Sequence, residues 1–255
     1  MSPIAHTLEI ADNAEAWESA GFSVVDSSVT IGAVKLLLVG AIGDRGILSW
    51  TLGAVDGMPV NDHHDLDGIV THFRRMPPID RTVYRAHPNG VTGIDMIVLQ
   101  SPNPTRTLAA FSAIGLHPQA ESGKEARKVR QFAQYFIRPS GAPCAIELVG
   151  PADGTGDGPA RIWGLTFVCG DIDVTHGFLR ETTKAPWNAV QKGRRMTVLQ
   201  HKKHDISVAC ALISPYVKDD TPKADRDSIY AHRAREQLSH ISRMGGTGVE
   251  EESRL

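Results

Sequence analysis

Residues 91–115 read VTGIDMIVLQSPNPTRTLAAFSAIG, and the order of elements they encode recurs along the chain. The apolar run Ile94–Leu99 predicts a strand. Ser101-Pro102-Asn103-Pro104 then makes a turn and opens a helix, because proline is tolerated in a first turn, where its missing N–H has no partner to lose. Leu108, Ala110, Phe111 and Ile114 fall at spacings that put an apolar stripe on one side of that helix, and Gly115 stops it. VRQFAQYFIRPSG follows, alternating around Phe132, Gln134 and Phe136, and then APCAIELVGP. The unit is therefore strand, helix, strands.

Residues 161–215 repeat it. RIWGLTFVCGD predicts a strand, IDVTHGFLRET a helix, RRMTVLQHK a strand after the turn QKG, and DISVACALISP a last strand. IELVGP and CALISP both end on a small residue and a proline, which cannot continue a central ladder. Worn copies precede them. LEIAD, a helix around Ala14 to Ala20 with Trp17 on its apolar side, SVVDSSVTI and AVKLLLVG form one; GILSWTLGAVDG opens another, whose only helical candidate is Leu66–Phe73 before a proline-rich connector. Four quasi-repeats result, with the connector as the boundary between halves. We expect a degenerate module pair in 1–85, a well-formed pair in 86–216, and in 217–255 a polar helix, with Ile229, Leu238 and Ile241 its only large aliphatics, followed by a disordered end.

Composition narrows the function classes. The chain has 255 residues, 41% hydrophobic and 22% charged, with 27 Lys+Arg against 29 Asp+Glu. That is ordinary globular composition without a pull toward nucleic acid, and Arg74-Arg75 and Lys202-Lys203 are too short to track a phosphate backbone. The three cysteines, Cys144, Cys169 and Cys210, sit in apolar runs as small hydrophobes, which fits a reducing, cytoplasmic setting. Neither a signal-length nor a membrane-length apolar stretch is present.

Paired βαβββ units with an acidic residue in the last strand of the first, Glu147 in AIELVG, resemble the vicinal-oxygen-chelate superfamily of glyoxalases, bleomycin-resistance proteins and extradiol dioxygenases. The resemblance covers residues 91–215 well and 4–85 weakly. It implies an α+β fold of βαβββ modules curled into incomplete barrels and a small-molecule ligand in the cleft; the polar helix of 217–255 is read separately as a docking or homodimer-contacting element or as a solvated tail. The resemblance also implies a divalent ion held from the first and last strands of each module. Position by position, however, those ligands fall at Met96, Glu147, Thr166 and Ala211. Only one carboxylate remains, so no glyoxalase-type metal centre or other cofactor is expected, and any ion would depend on Glu147.

The candidate site follows from these strands. Ile146 and Leu148 should face one layer and Glu147, with Ala145 and Val149, the other; there Glu147 is a general base or ligand anchor, or else half of a structural ion pair. Arg130 and Arg194 are candidate catalytic groups for a developing oxyanion. Met96, Gln134, Phe136, Trp163, Thr166 and Arg195 are candidate substrate contacts, although arginine at a strand end also serves a solvated face and tryptophan a core. The run Asp62-His63-His64-Asp65-Leu66-Asp67 with His72 carries metal-capable atoms without a ligand spacing and reads as a solvated loop. His87, in HPNG, has a turn to explain it, and His201 and His204 read as surface. Two functions stay open: a metal-independent lyase or isomerase acting on a small carbonyl or carboxylate compound, and a binding protein that sequesters an aromatic or antibiotic-like compound. A metal-dependent lyase or dioxygenase is a third.

Overall fold

The alternation of apolar and polar residues resolves into two mixed sheets in the computed structural model, which describes residues 2–55, 60, 63–76, 87–119, 127–129 and 132–215. The first sheet contains β1 (Ala5–Ile10), β2 (Ser28–Ile31), β3 (Val34–Leu38), β4 (Ile47–Gly53), β5 (His63–Leu66) and β6 (Ile69–Arg74), in the order β2-β3-β1-β4-β6-β5, with α1 (Ala14–Ser19) between β1 and β2. The second contains β7 (Val91–Gln100), β8 (Arg127–Val129), β9 (Phe132–Ile137), β10 (Ala145–Pro151), β11 (Arg161–Cys169), β12 (Trp187–Asn188), β13 (Arg195–Leu199) and β14 (Ala209–Ile213). Its order is β12-β13-β14-β11-β7-β10-β9-β8; α2 (Pro104–Ser112) follows β7 and α3 (Ile172–Phe178) follows β11.

One rule generates both sheets. Within each module the first strand runs parallel to the last, and the last is antiparallel to the one before it, as in β7/β10/β9 and β11/β14/β13. A parallel neighbour needs a crossover, which α1, α2 and α3 supply in three of the modules. Two modules then join through antiparallel first strands, β7 with β11 and β1 with β4. The local signals agree with this outcome. Asn103 accepts a hydrogen bond from the Arg106 N–H and Pro104 occupies the first turn of α2; the Asp171 carboxylate caps α3 by accepting from the Asp173 and Val174 N–H groups.

The helix expected over Leu66–Phe73 is instead the β5–β6 hairpin. Ile69, Thr71 and Phe73 are buried while Val70 is exposed, a period of two. Asp67 and Gly68 both have positive φ, 59° and 93°, the two-residue turn that Asp-Gly favours. The polar segment expected after residue 217 lies outside the described residues.

Trp17, Phe22, Trp50, Phe111 and Phe167 form the aromatic centre of a core shared by both sheets and their helices. Trp17 meets Phe167 at 6.3 Å between ring centroids, and Trp50 meets Phe111 at 5.9 Å. Polar clamps pin one half to the other. Asp12, fully buried, accepts from Arg45 at 2.6 Å, from the Trp17 indole at 3.1 Å and from the Ser207 N–H at 3.1 Å. Asp67 accepts from Arg106 at 2.6 Å and from the Thr107 hydroxyl, while its carbonyl accepts from the Ala160 N–H at 2.7 Å. His87 is a third clamp: Nδ1 accepts from the Ser23 N–H and Nε2 donates to the Thr30 carbonyl, each at 3.1 Å, so the ring is held neutral.

Candidate active site

Alternation along β10 sends Ile146 and Leu148 into the shared core, and Ala145, Glu147 and Val149 to the other face of the eight-stranded sheet. That second face, the cleft face, collects Met96, Val98, Ala145, Val149 and Val190, with Phe132, Phe136 and Trp163 packed against them. Glu147 is only 2% exposed within these apolar surroundings. Its Oε1 accepts from Gln134 Nε2 at 2.6 Å. The pairing of the strands explains the contact: Gln134 stands opposite Val149, and Glu147 opposite Phe136, so amide and carboxylate are diagonal neighbours on one face of β9 and β10.

Of the residues expected at the site, Glu147, Gln134, Phe136, Met96, Trp163 and Thr166 are brought to this one face. Thr166 pairs with Met96 on one side and Ala211 on the other, so the four positions that the superfamily resemblance marks for metal ligands are close neighbours. As a donor set they do not fit a divalent ion. One carboxylate, one hydroxyl, a thioether and a methyl group fall short of the three or more hard donors required, and the carboxylate already takes a hydrogen bond from Gln134. Among the described residues no three histidine, cysteine or acidic side chains converge in a way that could hold one.

The arginines separate. Arg194 is buried, with Nη1 donating to both oxygens of Asp95 at 3.0 and 3.1 Å and to Gln191 Oε1 at 3.1 Å, and Nε donating to the Ser214 carbonyl at 2.8 Å. Among the described residues nothing accepts from its Nη2. Asp95 and Val98, the partner of Glu147, are three residues apart on β7, which puts this pair about 10 Å from Glu147 along the strand. Arg195 instead pairs with Asp173 on α3, on the core side of the sheet, and does not join Glu147. Arg130 lies outside the described residues.

Asp95 is the site residue that sequence reasoning missed. A single acid inside the run Ile94–Leu99 was the available signal, since a charge in a buried strand needs a partner. Its charge also acts on Cys144, whose thiol is pushed up to about 12 by burial first and Asp95 second. The histidines go elsewhere. His63 and His64 lie on β5, with the His64 ring 5.2 Å from Phe73 and His72 opposite His63; Asp67 clamps α2, and Asp62 lies outside the described residues. His201 Nδ1 bonds the Ile206 carbonyl and His204 Nδ1 the Ser19 hydroxyl.

No sequence-family model matches the chain, and no curated protein matches it in sequence. Solved structures do match in shape. A triple mutant of 4-hydroxymandelate synthase from Streptomyces coelicolor superposes with a TM-score of 0.57 at 11% identity, covering 93% of this chain and 100% of that one. A xylose isomerase-like TIM barrel/4-hydroxyphenylpyruvate dioxygenase fusion protein gives 0.52 at 8% identity, covering 94% of this chain and about half, 53%, of the fusion. Both relatives belong to the superfamily that the repeats resemble, and both superpositions run through all four modules. The chain has the vicinal-oxygen-chelate fold, with its modules paired in two sheets.

Proposed function

We propose that the cleft face of the eight-stranded sheet binds a small carbonyl or carboxylate compound, and that Glu147 acts on it as a general base without a metal, in a lyase or isomerase reaction. The observation that supports this reading is a buried carboxylate, bonded by Gln134, on a face lined mainly by apolar side chains. In such a reaction Glu147 takes the proton from the carbon beside the carbonyl. Arg194 Nη2, about 10 Å along the strand from Glu147, holds a distal carboxylate or oxygen of the compound, and Arg130 is the candidate donor to the developing enolate oxygen. Return of the proton completes an isomerisation; departure of a group from the next carbon completes an elimination. Asp95 is a positioning residue, because it holds Arg194 still.

Proton abstraction has its own signature. Full-length protein in deuterium oxide, given a panel of 2-oxo and 2-hydroxy acids, should wash deuterium into the acidic carbon of one of them. The panel includes 4-hydroxymandelate, the compound named for one structural neighbour. Glu147→Gln should lower that rate by about 10²–10⁴-fold while leaving the melting temperature near that of the wild type. An unchanged rate removes Glu147 as the base.

A second reading is favoured by the lining itself, since Met96, Val98, Phe136 and Trp163 suit an apolar guest that is sequestered unchanged. Quenching of Trp163 emission by a compound recovered intact, equally in wild type and Glu147→Gln, is its expected outcome.

A further inference from the structure

We propose that the two alanines of β14 that face the cleft, Ala209 and Ala211, floor a trough for a flat aromatic ring bearing one hydroxyl or carbonyl oxygen, and that the Thr166 hydroxyl is that oxygen's partner. The inference rests on the cleft face being a ligand site, and it names where on that face the ligand lies and what class it belongs to.

Accessibility locates the trough. Met96, Val98, Glu147, Met196, Val198 and Ile213 are buried on this face. Ala209 and Ala211, though they carry a single methyl each, are only half-buried, as is Trp163. Solvent therefore reaches the sheet over these two alanines, whereas Ala145, farther along the same face, is buried. Across Ala211 stand Val198 on β13 and Thr166 on β11, and beyond Thr166 stands Met96. From Val198 to Met96 is three strand spacings, about 14 Å, wide enough for one or two fused rings lying on the methyl groups. Gly164, next to Ala209, has a separate cause: a Cβ there would lie 2.6 Å from the Ala209 carbonyl oxygen, so the backbone approach alone excludes a side chain. It nonetheless keeps the floor low. Trp163, in the bulge between Ile162 and Gly164, supplies an aromatic wall.

Thr166 points to a ligand independently. It is 5% exposed, sits between Met96 and Ala211 on the cleft face, and its hydroxyl has no hydrogen-bond partner among the described residues. Leu165 and Phe167, its neighbours in sequence, turn into the core, so the hydroxyl turns to the cleft. The hydroxyl is not among the fully buried unpaired atoms, so it reaches solvent on the cleft side, where a ligand oxygen lying over Ala211 would take the place of water. A hydroxyl both donates and accepts, so phenolic and carbonyl oxygens are equally suited.

The test compares 2-naphthol with naphthalene, two rings of one shape that differ by the oxygen, titrated into the full-length chain and followed by probe fluorescence. Wild type should saturate with both and bind 2-naphthol about fivefold tighter or better. Thr166→Val, which keeps the side-chain shape, should bring the two affinities together without weakening naphthalene. Ala211→Leu, with Ala209→Val as a second filler should the first fail to fold, should weaken both probes by about tenfold or more. The proposal is overturned if wild type shows no saturable binding, or if it binds the two probes equally. It is overturned too if the fillers bind as well as wild type. Binding that survives both fillers but is lost in Phe136→Ala removes the trough and leaves the wider cleft reading standing; unchanged deuterium exchange in Glu147→Gln with trough binding intact removes the general-base reading and leaves the trough.

Discussion

Single side chains on this fold are read by which face of a strand they occupy. Glu147 was legible because Ile146 and Leu148 bracket it with core residues, so strict alternation leaves it no other side. The Asp95–Arg194 pair was not, because its partners are separated by 99 residues and no local pattern joins them. Arg195 shows the same limit: adjacent to Arg194, it is sent to the opposite face by the alternation that brings Arg194 to the cleft. The cysteines carry a prediction at this scale. Burial pushes Cys144 up to about 12 and Cys169 up to about 11, and moves Cys210 upward as well. At neutral pH nearly all three are thiols, and the thiolate is the nucleophile. Iodoacetamide should leave them largely unmodified in the native protein and alkylate all three in urea, as read by intact mass; rapid native labelling of Cys169 or Cys210 would show that the strands carrying them open readily.

Elements were legible where turn chemistry and hydrophobic period agreed. Asn103-Pro104 opens α2 and Asp171 opens α3 where the sequence placed helix starts. Residues 66–73 failed because two signals competed: Leu66, Ile69 and Phe73 have helical spacing, but Asp67-Gly68 is a hairpin turn, and burial of Thr71 against the Trp50 indole at 2.6 Å decides for the strand. That turn also docks against the second sheet. A Cβ on Gly68 would lie 2.2 Å from Pro159 Cβ, at a φ of +93°. Gly68→Ala should therefore cost more than the about 1–3 kcal/mol of backbone strain alone. Gly43, with φ +52° and nothing within 4 Å of its added Cβ, is the control. Urea denaturation of the two variants should show the Gly68 loss clearly larger; equal losses would mean that the turn does not bear on the second sheet.

At the scale of the molecule, the order of modules could be read from the repeats, whereas the way the two sheets are fastened could not. The Asp12 clamp reaches Ser207 across 195 positions, and no periodicity reports such a contact. Asp12→Ala would leave the Trp17 indole N–H and the Ser207 N–H without their acceptor, about 1–3 kcal/mol each, so it should destabilise the whole chain rather than one half. The histidines give the molecule its pH dependence. Burial lowers His6 and His204 below 6.5, so the unfolded chain takes up protons near pH 6.5 that the folded chain resists. Stability should be full above pH 6.5 and fall as the pH drops below it. The urea midpoint should decline between pH 7.5 and 5.5, and His6→Gln with His204→Gln should flatten the decline; a midpoint that rises on acidification would contradict the sign.

The same arrangement exposes the functional reading to a direct check. The crystal structure of the full-length chain with a compound that it binds or turns over should show that compound on the cleft face, with an atom in hydrogen-bonding reach of the Glu147 carboxylate and no metal between them. Density on the six-stranded sheet instead, or an ion held by three or more side chains beside Glu147, would contradict it.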